Sequence, residues 1–290
     1  MRGIVSNATK EEITAACIAN RAEYVLSFGT GIGSAYYSGE DVKWVYTGLN
    51  YLNCVFAVHL SGEGMEQRVE EIMSFYDQRH VCPTWLVNPQ DEAGIERMKL
   101  EKKLESLGFT QVFEFPAMAV DLKEWERLGW LDHKGEGSTM SSFDPISPAF
   151  SLVQVNSAIG LEHWCQLTCA GFHVQKHQLS EYMTLLHSSV EHARFPTHVY
   201  IGYWNDKPVC AVSVLEAAGV AGIYWVSTVP QARGRGFATM MMRQLLSRVH
   251  AMGYQYATLQ STEMGYSLYR GLGFFDLYRE SGYERTGCCR

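Results

Sequence analysis

Twice along this 290-residue chain, a β-rich run passes through a glycine turn into a helix, returns as a strand, enters a further helix and stops on Gly-Phe. In the C-terminal half the order is strand 223–229, helix 237–251, strand 256–260, short helix 265–272 and Gly273-Phe274-Phe275. In the N-terminal half it is strand 55–60, Ser61-Gly62-Glu63-Gly64, helix 65–79, strand 84–87, helix 95–107 and Gly108-Phe109. Strands alternating with helices specify an α/β unit, because each helix must bury its apolar stripe on a sheet. The sequence therefore predicts two tandem copies of one α/β fold. Residues 132–148 hold turn formers and no apolar periodicity, so they read as a linker between domains at 1–131 and 149–290. The run 150–155 reads as the opening strand of the second domain.

Only the second copy carries phosphate chemistry. Gln231-Ala232-Arg233-Gly234-Arg235-Gly236 lies between a strand and the helix that begins Phe237-Ala238-Thr239. Its glycines allow positive φ and let consecutive N–H groups approach an anion. The helix start adds unpaired amides and the positive end of its dipole. Arg233 and Arg235 supply positive charge. The first copy has Ser61-Gly62-Glu63-Gly64-Met65-Glu66 at the matching place. It has no arginine there, and its two carboxylates would repel a pyrophosphate.

The Gln-x-x-Gly-x-Gly turn, preceded by Ser227-Thr228-Val229-Pro230, resembles the cofactor motif of the Gcn5-related N-acetyltransferase (GNAT) superfamily. The run Ser261-Thr262-Glu263-Met264-Gly265-Tyr266-Ser267-Leu268-Tyr269-Arg270-Gly271-Leu272-Gly273-Phe274 is similar to the family's second signature. The resemblance covers residues 150–290 and implies a GNAT acetyltransferase domain there. It implies two tandem GNAT-like domains, each a mixed, mostly antiparallel twisted sheet flanked by helices, the first a degenerate copy without a cofactor site. Trp44-Val45-Tyr46-Thr47-Gly48, Cys54-Val55 and Leu107-Gly108-Phe109 carry the vaguer likeness of that first copy. Such a copy is expected to pack against the second and shape its acceptor pocket.

The resemblance also implies how acetyl-CoA binds as cosubstrate. Its pantetheine arm would add to the main chain of Val226, Ser227 and Thr228 on a strand that splays from its neighbour. Its pyrophosphate would lie on Gln231, Arg233, Gly234, Arg235, Gly236, Phe237, Ala238 and Thr239, with Thr262 and Tyr269 also at the cofactor. Direct transfer of an acetyl group to an amine needs a polarised carbonyl, a neutral amine and a proton for the departing thiolate. The Val226 N–H is the candidate for the first need. Tyr269 is the candidate acid for the thiolate, because a phenol pKa near 10 suits a thiol leaving group. No Glu or His stands on strand 223–229, so the base is open among Glu216, Glu263, His173 and a water chain. Phe172, His173 and Tyr182 are candidate acceptor contacts, whereas Trp164, Leu167, Leu185 and Leu186 have core spacing. Alternation would set Tyr224 and Trp225 on opposite faces of the strand. The expected activity is acetyl-CoA-dependent N-acetylation of a small-molecule, peptide or protein amine. The alternative is a non-catalytic acyl-CoA-binding or regulatory protein.

The formal charge of −7 and pI near 5.8 argue against a nucleic-acid partner. No apolar run approaches the roughly 18 residues of a membrane span, and the N-terminus lacks a signal-peptide core. The eight cysteines (17, 54, 82, 165, 169, 210, 288 and 289) form no Cys-x-x-Cys pair. They read as reduced thiols of a cytoplasmic protein with no metal, acting as a monomer with an internal pseudo-dimer or as a homodimer. Gly29-Thr30-Gly31-Ile32-Gly33 resembles a dinucleotide loop only superficially, since a helix, not a strand, is expected before it.

Overall fold

The computed structural model describes residues 3–88, 95–128 and 149–285. The expected linker at 132–148, and Cys288 and Cys289, lie outside the described residues. In chain order the elements are α1 (Lys10–Leu26), β1 (Ala35–Ser38), β2 (Lys43–Tyr46), β3 (Cys54–Phe56), α2 (Met65–Asp77), β4 (Thr84–Val87), α3 (Ile95–Ser106), β5 (Phe109–Asp121) and α4 (Leu122–Arg127). They continue as β6 (Phe150–Gln154), α5 (Ala158–Gly171), α6 (Leu179–Glu191), β7 (Thr197–Trp204), β8 (Lys207–Ala217), β9 (Val220–Thr228), α7 (Phe237–Ala251), β10 (Tyr256–Gln260), α8 (Glu263–Gly271) and β11 (Phe275–Arg285).

The internal repeat is present in the sheet pairing. The parallel ladder of β3 with β4 around α2 matches the parallel ladder of β9 with β10 around α7, while the other strand pairs are antiparallel. The two expected sheets are, however, one. Its eleven strands run β1-β2-β3-β4-β11-β5-β10-β9-β8-β7-β6. The halves have exchanged their last strands: β5 of the first pairs with β10, and β11 of the second pairs with β4. The two long exchanged strands pair with each other from Phe275↔Ala119 to Arg285↔Phe109, so a shared ladder replaces two exposed sheet edges.

A second tie is α1, which Thr9 and Glu12 start with a reciprocal capping box. Its Ile13 and Ala16 pack with Val220 and Tyr256 of the second half, while Ala22, Val25 and Leu26 pack with Val45 and Phe56 of the first. Asn20, fully buried, donates to the carbonyls of Leu215, Ala217 and Val220 at 3.1, 2.9 and 3.1 Å and accepts from the Tyr224 hydroxyl at 2.7 Å. Gly222 permits this approach, since a Cβ there would overlap Asn20 Oδ1. In the second half the other face of the sheet is covered by α7, whose Met241, Met242, Leu245 and Leu246 are buried against β8, β9 and β10.

The reading of eight reduced thiols needs one correction. Cys82 is disulfide-bonded, whereas Cys17, Cys54, Cys165, Cys169 and Cys210 are free. Among the described residues no helix is long and apolar enough to cross a membrane, and no cluster of His, Cys, Asp and Glu could hold a metal ion. The Gly29–Gly33 segment follows α1 and leads into β1, so it has no helix N-terminus to offer a phosphate.

Candidate functional site

Strands β9 and β10 are paired only at Ala221↔Ala257 and Gly222↔Thr258; beyond these the two strands part. On its other side β9 loses register with β8 at a bulge, where Tyr224 pairs with Ser213 and Ser227 with Ala211. Trp225 and Val226 therefore have no ladder partner on either side. Trp225 takes φ +54°, a left-handed conformation uncommon for a bulky side chain. The bulge has its own support: the indole N–H of fully buried Trp164 donates to the carbonyl of Val212, opposite the bulge, at 3.0 Å. Trp164 thus does more than the core packing expected of it.

The bulge also corrects the alternation argument. Tyr224 and Trp225 both line one cavity of about 310 Å³, together with Val226, Thr262 and Tyr269. Phe172 meets Trp225 edge-on at 5.0 Å in the same wall. The roof comes from the first half, through Arg21, Tyr24, Phe28, Leu52, Cys54 and Phe115.

At the end of β9 the chain turns through Gly234 and Gly236, at φ +72° and +77°, into α7. Gly236 is the N-cap and provides no side chain, and the first intrahelical bond is Met240 N–H to Gly236 C=O. The amides of Phe237, Ala238 and Thr239 are thus left without helical partners. A Cβ at Gly234 would meet nothing within 4 Å, so the concavity is open. Arg235 is exposed and lies over the Phe237 ring at 4.9 Å.

Arg233 does not aim at this opening. Its Nε donates to Thr228 C=O at 3.2 Å, its Nη2 donates to Gly171 C=O at 2.6 Å, and its Nη1 lies 2.9 Å from His173 Nε2. It ties the end of α5 to the end of β9. The Thr228 carbonyl is correspondingly occupied, and Ser227 is paired with β8, so Val226 is the member of the main-chain trio left free. The sequence could not foretell this, because one of the carbonyls that claim Arg233, that of Gly171, ends a helix some sixty positions away.

Tyr269 is buried, stacks edge-on against Phe274 at 5.6 Å and forms part of the cavity wall. Its hydroxyl has no hydrogen-bond partner among the described residues. Burial pushes its phenol well above the usual tyrosine range. Gly265 makes room for the ring, since a Cβ there would stand 2.7 Å from Tyr269 Cε2. The candidate bases lie elsewhere. Glu216 is engaged by His198 Nε2 at 2.5 Å and by the Tyr254 hydroxyl at 2.9 Å, His173 is held by Arg233, and Glu263 is exposed in the first turn of α8. None of them lines the cavity. Tyr182 stacks on Tyr51 at 4.4 Å, outside it.

A larger cavity, of about 780 Å³, opens between the 31–34 and 46–49 loops and α6, and Phe28 borders both spaces. In the first half, Gly62 N–H donates to Glu96 Oε2 at 3.3 Å, so a carboxylate of the chain itself occupies the turn before α2.

Residues 160–284 match the family model for the acetyltransferase (GNAT) domain. That stretch is a GNAT domain. The whole architecture is also similar to solved GNAT structures. A GCN5-related N-acetyltransferase from Kribbella flavida aligns at 14% identity and TM-score 0.63, covering 93% of this chain and 96% of that one. A tandem GNAT protein from the clavulanic acid biosynthesis pathway aligns at 12% identity and TM-score 0.60, covering 98% and 96%. A GCN5-related N-acetyltransferase from Sphaerobacter thermophilus aligns at 14% identity and TM-score 0.57, covering 98% and 94%. At these identities the likeness is one of fold. No match to a curated protein was found. Within the GNAT domain, the parted β9 and β10, the glycine turn and Tyr269 lie in one continuous stretch of sheet and helix.

Proposed function

We propose that this protein is an acetyl-CoA-dependent N-acetyltransferase with one active site per chain, in the GNAT domain, acting on an amine. The observation that carries the reading is the unpaired main chain at Val226. It faces the gap between β9 and β10, with the uncapped start of α7 at one end of the strand and Tyr269 on the cavity wall. The residues fit the cosubstrate. Uncapped amides, Arg235 and the open space over Gly234 suit a pyrophosphate, and a free strand edge suits the amides of a pantetheine arm.

In this reading acetyl-CoA supplies the thioester, and the chain's own groups do the rest. The main-chain N–H groups of the bulge stabilise negative charge on the carbonyl oxygen as the amine nitrogen bonds to the acyl carbon. Tyr269 donates its proton to the sulfur as the C–S bond breaks, and the proton released by the amine restores the phenol or leaves through water. Among the described residues the cavity wall has no carboxylate or imidazole; of its hydroxyl and thiol groups (Tyr24, Cys54, Tyr224, Thr262 and Tyr269), Tyr269 is read as the proton donor to the sulfur. The first half is read as a degenerate copy, its turn blocked by Glu96, that has become the roof of the second. The two halves share one sheet through the β5–β11 ladder, and the chain is read as a monomer with an internal pseudo-dimer.

The test is thiol release from acetyl-CoA over a panel of amines, run beside thermal unfolding with and without acyl-CoA. Amine-dependent release supports the transferase. Stabilisation by acetyl-CoA with no turnover on any amine would favour the non-catalytic acyl-CoA binder, and no stabilisation by any acyl-CoA would sink both.

A further inference from the structure

The roof of the 310 Å³ cavity contains an arginine in an unusual state. Arg21, from α1, pairs through Nη2 with Glu280 Oε1 at 3.1 Å, and Glu280 is only 1% exposed. The Arg21 guanidinium also lies over the Tyr24 ring at 5.6 Å, and Tyr24 stacks face to face on Tyr224 at 3.6 Å. Burying such a pair is a poor way to gain stability, because desolvation offsets most of the attraction. As a purely structural device it would also be expected to have every donor satisfied. Arg21 does not: its Nε is buried and has no partner among the described residues.

Two further buried polar atoms on residues of the same cavity are also unpartnered, Trp225 Nε1 and Gln260 Oε1. Arg21 Nε–H and Trp225 Nε1–H are both donors, and one belongs to a guanidinium. Donors of this kind, left over beside a largely apolar cavity, suit a carboxylate. Most of the remaining wall is aromatic and aliphatic, including Phe28, Phe115 and Phe172. At about 310 Å³ the space is at the lower end of ligand cavities, which run from roughly 300 to 1,000 Å³, and suits a metabolite rather than a protein surface.

We infer that the acceptor is an amino acid with an apolar or aromatic side chain, its carboxylate read by Arg21 and Trp225 and its amine directed to the bulge at Val226. This rests on the transferase reading above and adds the substrate class to it. The Arg21–Glu280 pair leaves the site close to neutral, which matches a zwitterionic ligand that brings one charge of each sign. Glu280 then acts as a positioning residue that fixes the guanidinium. Since Arg21 belongs to the first half, that half would contribute acceptor specificity while the second holds acetyl-CoA.

The experiment compares matched acceptors, phenylalanine with phenethylamine and leucine with isoamylamine, by acetyl-CoA thiol release and by direct calorimetric binding to the full chain. The wild-type chain is expected to favour each amino acid over its decarboxylated partner by at least 100-fold in kcat/KM. The double variant Arg21→Gln/Glu280→Gln removes both charges together, leaving no lone buried ion, and is expected to erase that preference. Trp225→Phe, which keeps an aromatic side chain but removes the N–H, is expected to raise the amino-acid KM several-fold. Thermal unfolding establishes that each variant is folded. Equal use of the carboxylate-free amines by the wild type, or a preference surviving in the folded double variant, would overturn the inference. So would Arg21-dependent selectivity for succinyl-CoA over acetyl-CoA, which would place the carboxylate on the acyl group. Amino-acid binding that requires Arg21 but leads to no acetyl transfer would support this site and refute the transferase reading.

Discussion

Replacing Tyr269 with Phe separates chemistry from stability unusually well in this fold. The ring packs on Phe274 and against the Gly265 backbone, and both contacts persist in phenylalanine. The hydroxyl has no partner among the described residues, so its removal leaves no orphaned group, and the folding change should stay below about 1 kcal/mol. For a chain of this size that is a melting shift of no more than roughly 2–4 °C. The chemical effect should be larger. General acids contribute about 100- to 10,000-fold. A thiol with a pKa near 8.5 leaves with less help than an alkoxide, which moves the expectation to about 10- to 100-fold in kcat. That corresponds to about 1.4–2.7 kcal/mol of transition-state stabilisation. The burial that pushes the Tyr269 phenol up also raises the basicity of a thiolate formed beside it, so transfer between them remains feasible. Because the shift is upward, the phenol stays protonated through neutral pH, and its ionisation should cause no alkaline loss of kcat below pH 10. The assay is initial-rate thiol release from pH 6 to 9 at saturating acetyl-CoA, with calorimetric acetyl-CoA affinity measured on the same preparation. Unchanged turnover in a folded variant would refute the assignment. A kcat loss that merely tracks a melting drop of many degrees would refute the separation of the two effects.

Three further outcomes follow from the geometry. Gly234→Ala sets a Cβ into the open turn at φ +72°, at a conformational cost of about 1 kcal/mol; calorimetry should show at least a tenfold loss of CoA affinity, and unchanged affinity would remove the turn from the binding site. Asn20→Ala deletes bonds to three carbonyls and strands the Tyr224 hydroxyl, which should lower urea-unfolding stability by about 2–4 kcal/mol; a loss below 1 kcal/mol would mean that α1 does not tie the halves together. Burial pushes the Cys17, Cys165 and Cys210 thiols up to about 12 from an unfolded value near 9. Their contribution to stability is therefore complete below pH 9 and lost as pH rises toward 12. Reaction of these three thiols with a thiol reagent at pH 8 should be slow until denaturant is added, and rapid labelling of the native chain would contradict their burial.

What the sequence made legible was local. The bounds of α7 and β10 follow from glycine turns and apolar periodicity, and the structure places both helix and strand where that reading sets them. The strand expected at 55–60 ends instead at Phe56, because Ala57 takes φ +48°, a conformation that nothing about alanine foretells. The strand exchange was not readable, since the alternation in β5 and β11 fits any neighbouring edge and only long-range pairing selects one. The same limit hid the roof of the cavity. The sequence suggests a helix before Gly29 but not which strands it covers, so Arg21 and Asn20 carried no signal as site residues. Gly222 lies just before the predicted strand 223–229 but inside β9 in the structure, where its missing side chain leaves room for Asn20. Trp225 went astray for a related reason, because the alternation rule holds only where no bulge interrupts it.

Titration calorimetry of acetyl-CoA against the purified full-length chain tests the central claim most directly. One site per chain is predicted, weakened at least tenfold by Gly234→Ala and unaffected by Gly62→Ala in the first half's turn. Two sites per chain, or binding that survives Gly234→Ala and is lost with Gly62→Ala, would contradict it.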